Sequence, residues 1–159
     1  MSGVGLLNVT LLVKDYDEAI QWFTEKLRFT VVEDTKMSED GSKRWVRIRP
    51  PKAPANSTCI LLAKASGEMQ ETTVGSQFGG RVGFFLETDD FADDFLHMKD
   101  AGVRFKEDHP REEAYATVIK FADLHGNQWD LIQTRKEPLV ASKPQEQPAE
   151  GDLADLAEQ

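Results

Sequence analysis

Two stretches of this chain, one in each half, carry the same pattern of apolar and polar positions. The first reads Asn8-Val-Thr-Leu-Leu-Val-Lys-Asp15, and the second reads Gly83-Phe-Phe-Leu-Glu-Thr-Asp-Asp90. Each is a short run of β-forming residues that ends at an aspartate placed to cap a helix. Apolar side chains at helical spacing follow both copies, which predicts helices over residues 16–27 and 91–101. A repeated unit of strand and helix indicates a fold built from two similar halves.

Three further runs with the apolar or alternating character of strands follow each predicted helix. They lie at residues 30–34, 45–49 and 59–63 in the first half, and at residues 103–106, 117–121 and 129–133 in the second. Both halves therefore have the order β-α-β-β-β, which predicts an α+β fold. The polar stretch between the halves predicts a linker over residues 65–79.

The composition of the chain predicts one domain followed by a tail. With 159 residues and 40% hydrophobic content, the chain can bury a single core, which we place in residues 1–136, with modules at about residues 5–64 and 80–134. Residues 137–159 are rich in Pro, Ala, Glu and Gln and contain no aromatic residue, a composition typical of disorder. Six acidic residues and one lysine in this tail account for −5 of the net charge of −9.

Charge and hydropathy exclude several classes of partner. The negative net charge argues against nucleic-acid binding, because phosphate contacts need clustered Lys and Arg. No apolar run approaches the roughly 20 residues of a membrane helix, and the amino terminus lacks a secretion signal, so we expect a cytoplasmic protein without a membrane partner. The single cysteine, Cys59, lies in an apolar run and is expected to be a buried thiol without a chemical role.

Five short motifs occur in a fixed order over about residues 6–134. They are residues 9–15, residues 23–29, Asp89-Asp90, Ala101-Gly102-Val103 and residues 123–131. In this order and spacing they resemble the vicinal oxygen chelate superfamily, which includes glyoxalase I, extradiol dioxygenases, fosfomycin-resistance enzymes and bleomycin-resistance proteins. The resemblance implies two tandem β-α-β-β-β modules that form a curved, mixed-sheet cup, and it implies a homodimer. Arg28 stands where the family usually has glycine, so we expect it to adopt a left-handed backbone conformation.

The resemblance also identifies the positions that hold a metal in the metal-dependent members. Here these positions are Asn8, Ile60, Gly83 and Asp130. Ile60 and Gly83 have no side-chain donor, and a neutral amide is a weak ligand for a transition metal. A shift of one residue at Ile60 would offer only Cys59 or Leu61, and the three histidines lack the spacing of a metal site. We therefore predict no metal and no cofactor, and a divalent metal enters only in an enzymatic alternative.

Strand alternation, counted from these four positions, predicts which side chains line the cup. The predicted ligand-binding residues are Asn8, Thr10, Trp45, Arg47, Ile60, Gly83, Phe85, Gln128 and Asp130, and the same count places Leu62 and Glu87 on this face. Aromatic, amide and charged groups together suit a polar, partly planar small molecule. In the structural alternative, Trp45 packs against the linker and Arg47 pairs with Asp130 or Glu87 without any ligand.

Three functions follow from these observations. The first is metal-independent binding of a small organic molecule, with the sequestering logic of the bleomycin-resistance proteins. The second is a glyoxalase- or dioxygenase-like lyase, isomerase or oxidoreductase with a degenerate metal site. Its one catalytic candidate is Asp130, a general base if burial raises its pKa, with room for substrate beside Gly83. The third is a regulatory or interaction module that recruits a partner through the acidic tail.

Overall fold

The fold is described for residues 3–139 in a computed structural model. Within these residues the first half of the chain has the predicted order β-α-β-β-β, and the second half has this order with one additional short strand. The elements are β1 Asn8–Val13, α1 Tyr16–Leu27, β2 Thr30–Lys36, β3 Arg44–Arg49, β4 Cys59–Lys64, α2 Glu68–Thr73, β5 Val82–Glu87, α3 Phe91–Asp100, β6 Arg104–Phe105, β7 Arg111–Glu112, β8 Ala116–Ala122 and β9 Gln128–Thr134. The short helix α2 and the short strand β7 were not predicted, whereas the other ten elements were.

Helix α1 begins at the predicted position because Asp15 caps it. The Asp15 carboxylate accepts a hydrogen bond from the Glu18 N–H at 2.9 Å, which satisfies one of the free amides of the first turn. Phe23 and Leu27 lie one helical turn apart and are buried. The helix ends at Arg28, whose φ of 57° confirms the predicted left-handed conformation.

Helix α3 repeats this arrangement in the second half. The Asp90 side chain accepts a hydrogen bond from the Asp93 N–H at 3.1 Å, and Gly102 follows the helix with a φ of 81°. The two helices meet at their polar ends, where the Arg28 guanidinium binds the Asp93 carboxylate at 2.7 Å. The duplication is therefore visible in the caps as well as in the order of the elements.

The strands form two separate sheets, one for each half. The N-sheet has the order β1-β4-β3-β2, and the C-sheet has the order β5-β9-β8-β6, with β7 paired to β8. The pairs β1–β4 and β5–β9 are parallel, and the remaining pairs are antiparallel. The predicted fold class, an α+β fold with two β-α-β-β-β modules and mixed sheets, is confirmed.

One hydrophobic core joins the two modules. The buried apolar residues of both sheets and of helices α1 and α3 belong to a single cluster. Trp129 lies within it, with ring centroids at 5.8 Å from Phe23, 6.1 Å from Phe29 and 4.3 Å from Phe84. We call the side of each sheet that faces this cluster its core face and the opposite side its open face. Side chains on the open faces point away from the cluster, and these faces are where we look for a ligand site.

The predicted linker, residues 65–79, contains helix α2 and then folds back onto strand β1. Gln77 accepts a hydrogen bond from the Leu12 N–H at 2.9 Å and donates one to the Thr10 carbonyl at 2.7 Å. Because β1 lies at the edge of the N-sheet, these backbone groups have no neighbouring strand on that side. The side chain of Gln77 takes the place of that strand.

The turn between β8 and β9 is built around a buried carboxylate. Asp123 accepts hydrogen bonds from the backbone N–H groups of His125 and Asn127 and from the Trp129 indole at 3.0 Å. The same turn contacts strand β1, since the Lys14 N–H donates to His125 Nε2 at 3.2 Å. That nitrogen accepts only when it carries no proton, and burial lowers the pKa of His125. The contact therefore requires a His125 imidazole without a proton on Nε2.

Among residues 3–139, no helix is long and apolar enough to cross a membrane. The acidic tail predicted for residues 137–159 lies outside the described residues from residue 140 onward, and the prediction of disorder stays untested. Its described start ends at Leu139, whose N–H donates to the Ala114 carbonyl at 2.8 Å.

Candidate functional site

The open face of the N-sheet carries an arginine held by its neighbours. Arg47 Nε donates to Asn8 Oδ1 at 2.9 Å, Nη1 reaches Glu33 Oε2 at 3.4 Å, and Nη2 reaches the sulfur of Cys59 at 3.5 Å. These contacts orient the guanidinium along the sheet. The alternative in which Arg47 pairs with Asp130 or Glu87 is not what the structure shows.

Other predicted residues lie on the same face as Arg47. Strand register places Arg47 opposite Leu61, and Leu61 beside Thr10, so that the three side chains share the open face. Trp45 lies two residues before Arg47 on β3 and is half-buried on that face. The orientations predicted for Asn8, Thr10, Trp45 and Arg47 are thus present, and their binding of a ligand stays a prediction.

The orientation predicted for Ile60 and Leu62 is wrong. Both side chains are buried in the hydrophobic cluster, opposite Ile48 and Val46 of the neighbouring strand. The open face of β4 carries Cys59 and Leu61 instead. Strand β4 is apolar on both faces, so its sequence contains no alternation that would identify the core side. The position equivalent to Asp130 is therefore Leu61, since Leu61 pairs with Thr10 as Asp130 pairs with Phe85.

The prediction that Gly83 leaves space for a substrate is wrong. A Cβ atom at this position would lie 2.1 Å from Cδ2 of Phe78, which packs against the core cluster. The register of β5 against β9 shifts between Val82 and Phe84, so Gly83 lies in a bulge. The linker thus places an aromatic ring where the resemblance implied a metal ligand.

The open face of the C-sheet carries a row of three side chains on adjacent strands. Asp130 on β9 pairs with Phe85 on β5 at one side and with Lys120 on β8 at the other. Phe85 is 66% exposed, whereas Asp130 is only 8% exposed. Asp130 Oδ1 is fully buried and has no hydrogen-bond partner among the described residues. A desolvated carboxyl group therefore lies beside an exposed aromatic ring.

Burial is the largest influence on the pKa of the Asp130 carboxyl and raises it above the ordinary value for aspartate. The positive charges of Lys120 and Arg111 act in the opposite direction, and the negative charge of Glu107 adds to the effect of burial. Arg111 and Glu107 are themselves bound to each other at 2.6 Å. The raised pKa agrees with what a general base would need, but no hydroxyl or thiol of residues 3–139 is hydrogen bonded to Asp130. Its catalytic role remains a prediction.

Gln128 precedes this row on strand β9. Its side chain is half-buried and donates from Nε2 to the Gly80 carbonyl at 3.1 Å. Register places it opposite Ala122, two residues before the pair of Lys120 and Asp130, and on the same face. The predicted orientation of Gln128 is therefore present, with one of its amide hydrogens already bound.

The residues at the family's metal positions do not fit a metal ion. Asn8 Oδ1 already accepts a hydrogen bond from a cationic side chain, Leu61 has no donor atom, and Phe78 fills the space at Gly83. Within residues 3–139, no three His, Cys, Asp or Glu side chains come together in an arrangement that could hold a metal. Asp130 lacks neighbouring ligands, so we derive no chemistry through a metal at this site.

A groove of about 640 Å³ lies elsewhere, between the end of α1, residues 50–54 and the start of α3. Its charged groups are bound within the chain: Arg28 binds Asp93 at 2.7 Å, Lys52 binds Asp89 at 3.7 Å, and Asp90 caps helix α3. Because these pairs satisfy one another, the groove is a weaker candidate than the row around Asp130, where a buried polar atom has no partner.

Residues 5–131 match the family model of the Glyoxalase/Bleomycin resistance protein/Dioxygenase superfamily. The chain belongs to this superfamily. The resemblance that the five motifs indicated is therefore confirmed, and the two mixed sheets described above are its architecture in this member.

Known proteins are similar to this superfamily member in sequence or in fold. An uncharacterized protein of Shewanella frigidimarina (strain NCIMB 400) is 44% identical over 135 residues, which cover 84% of this chain and 97% of that protein. The crystal structure of UcmS2 has a TM-score of 0.67 at 25% identity, with 82% of this chain and 98% of that one covered. TnmS3, an antibiotic binding protein from Streptomyces sp. CB03234, has a TM-score of 0.66 at 23% identity, with 85% and 99% covered. At that identity, the likeness to TnmS3 shows the fold.

The sequence reasoning missed Lys120 as a site residue. Lys120 is the one charged residue of a strand that otherwise buries its apolar side chains, between Ile119 and Phe121. A lysine at such a position indicates an open face, and this signal was present in the sequence. Its place beside Asp130, in contrast, depends on the register between β8 and β9.

Proposed function

We propose that this protein binds a small organic molecule on the open face of the C-sheet, in a metal-independent way, and sequesters it as bleomycin-resistance proteins do. One observation carries the proposal: the buried Asp130 carboxyl, whose Oδ1 has no hydrogen-bond partner among the described residues, lies beside the exposed ring of Phe85.

The energetic argument concerns the cost of that carboxyl group. A buried polar group without a partner typically costs about 1–3 kcal/mol, and natural proteins seldom retain one without a reason. A ligand that supplies the missing hydrogen bond would recover this free energy on binding. Burial would also strengthen the new hydrogen bond, because the local dielectric constant is lower than that of water.

Phe85 supports the same proposal from the apolar side. Its side chain is 66% exposed although it lies within a strand, so its ring offers a flat apolar surface directly beside Asp130. Aromatic faces next to a few placed polar groups are the usual composition of small-molecule sites. The likeness in fold to TnmS3, an antibiotic binding protein, supports this class of activity.

The experiment is a binding screen with paired variants. A panel of organic metabolites and antibiotics is tested by thermal shift, since a ligand of the folded state raises the melting temperature, and hits are measured by isothermal titration calorimetry. We expect Asp130→Ala and Phe85→Ala each to weaken binding of a hit at least tenfold. Leu96→Ala is the matched control, because Leu96 is also exposed but lies on helix α3. A panel without hits, or hits that ignore both substitutions, would overturn the proposal.

We also propose that the protein is a homodimer, as its family resemblance implies. Val4, Leu6 and Leu7 form an exposed apolar segment before strand β1, and apolar segments of this kind are often covered by a partner. Light scattering coupled to size-exclusion chromatography should give twice the mass of the chain. Replacement of Leu6 and Leu7 by Ser should reduce that mass, and a monomeric wild type would refute the assembly.

A further inference from the structure

The row formed by Phe85, Asp130 and Lys120 has three chemical characters in a defined order. Neighbouring strands of a sheet lie about 4.8 Å apart, and residues paired in register point to the same face. Phe85 and Lys120 therefore flank Asp130 on opposite sides at similar distances. From β5 to β8, the open face presents a flat apolar ring, a hydrogen-bond acceptor and a cationic donor.

Lys120 and Asp130 do not satisfy each other. No ion pair within 4.0 Å joins them, although they are directly opposed in register, and the Lys120 ammonium donates no hydrogen bond to any of the described residues. The nearby carboxylate of Glu107 is occupied, because it binds Arg111 at 2.6 Å and accepts a hydrogen bond from the backbone N–H of Lys120 at 2.9 Å. One acceptor and one donor thus lie side by side without a partner among the described residues.

The chemistry of the two groups limits what can bind between them. A ligand with only a donor would satisfy Asp130 and leave the ammonium unused, whereas a ligand with only an acceptor would leave the buried carboxyl unpaired, which is the costlier loss. A flat ring beside these groups would also cover Phe85 and remove its apolar surface from water.

The geometry points to a defined ligand class: a flat, apolar ring system that carries an N–H or O–H donor directly beside a carbonyl or anionic oxygen. We infer that its donor binds Asp130, its oxygen binds Lys120 and its ring lies on Phe85. This inference rests on the proposed function, because it names the chemistry recognised at the same site.

A matched pair of probes tests the inference. In 2-quinolone, a lactam N–H lies beside the carbonyl on a flat bicyclic ring, and N-methyl-2-quinolone keeps the ring and the carbonyl but carries a methyl group in place of the donor hydrogen. Binding of each probe is measured by changes in the 1H–15N spectrum of the full chain. We expect 2-quinolone to bind at least tenfold more tightly than its N-methyl form, because methylation leaves Asp130 unpaired.

Variants assign the effect to the two side chains. Asp130→Ala should abolish the difference between the probes, and Lys120→Met, which keeps the length of the side chain, should weaken 2-quinolone about tenfold. Lys99→Met is the matched control, since Lys99 lies exposed on helix α3, and it should leave binding unchanged. The spectrum of each variant also shows whether it is folded, so a loss of binding is separated from a loss of structure.

The outcomes distinguish the inference from the proposed function. Equal binding of the two probes, absence of 2-quinolone binding, or a difference that persists in Asp130→Ala would overturn the inference. If other compounds of the screening panel still bind and depend on Asp130 and Phe85, the proposed function stands without it. If no compound binds at all, both fail.

Discussion

Substitution of Gly83 by alanine should destabilise the fold through one specific clash. The new Cβ would lie 2.1 Å from Cδ2, 2.4 Å from Cε2 and 2.5 Å from Cγ of Phe78. Carbon atoms in contact are normally about 3.5–4.0 Å apart, so the ring must move by roughly 1.5 Å or more. The φ of Gly83 lies outside the left-handed region, so the backbone itself accepts alanine and the ring is the obstacle.

The size of the effect follows from three contributions. Forcing an extra carbon into a packed site costs about 1–3 kcal/mol. A displaced Phe78 would also lose its edge contact with Phe84, at 5.1 Å between centroids, and such contacts contribute about 0.5–1.5 kcal/mol. Replacing glycine restricts the unfolded chain and returns about 0.4–1 kcal/mol. We therefore expect Gly83→Ala to lower the free energy of unfolding by about 2 kcal/mol.

Urea unfolding followed by tryptophan fluorescence measures this quantity. In a Phe78→Ala background the obstacle is gone, so Gly83→Ala should then be neutral or stabilising, with a coupling energy of about 2–3 kcal/mol between the two positions. Gly5→Ala is the control, because nothing lies within 4 Å of a Cβ at Gly5. An equal loss of stability in the presence and absence of the Phe78 ring would refute the reasoning.

Three further predictions concern charge and backbone conformation. Burial raises the pKa of Asp130, so the wild type should lose stability as pH rises from about 3.9 through the raised pKa, whereas Asp130→Asn should not. Urea unfolding of both proteins at pH 3 and pH 8 measures this. The same difference in stability between them at both pH values would contradict the prediction. Burial lowers the pKa of His125, so the free energy of unfolding should fall as pH decreases below about 6.5 through the lowered pKa. His125→Gln should make the free energy of unfolding depend less on pH over this range. An unchanged pH dependence would contradict the neutral imidazole that accepts from the Lys14 N–H. Arg28→Gly should be about 1 kcal/mol more stable than Arg28→Ala, because glycine adopts a φ of 57° without strain. Both variants lack the ion pair with Asp93, so the comparison isolates the backbone. Equal melting curves would show that residue 28 is not strained.

The parts of the fold that were predicted correctly depend on local interactions. Helix α1 needs only the cap at Asp15 and apolar residues one turn apart, such as Phe23 and Leu27, and both features can be recognised within a few residues. The left-handed conformation of Arg28 was predicted in another way, from the resemblance, because Arg28 stands where the family usually has glycine. The duplication then extended these local predictions to the second half.

The candidate site was predicted less completely, because its members meet through strand pairing. The orientation of Arg47 followed from alternation in a strand with one polar face, whereas those of Asn8 and Phe85 were counted from positions that the resemblance identified. Ile60 was placed on the wrong face because β4 is apolar on both sides and offers no alternation. A one-residue error in such a strand moves every side chain to the opposite face.

By itself, the amino-acid sequence determined the order of the elements, the duplication and the family, because caps, helical spacing and alternation are properties of neighbouring residues. Only the tertiary structure decided that Phe78 from the linker fills the space at Gly83, and that Lys120 and Phe85 flank a buried Asp130. These arrangements depend on strand register and on the path of the linker. Both are set by packing between residues far apart in the chain, which no local pattern records.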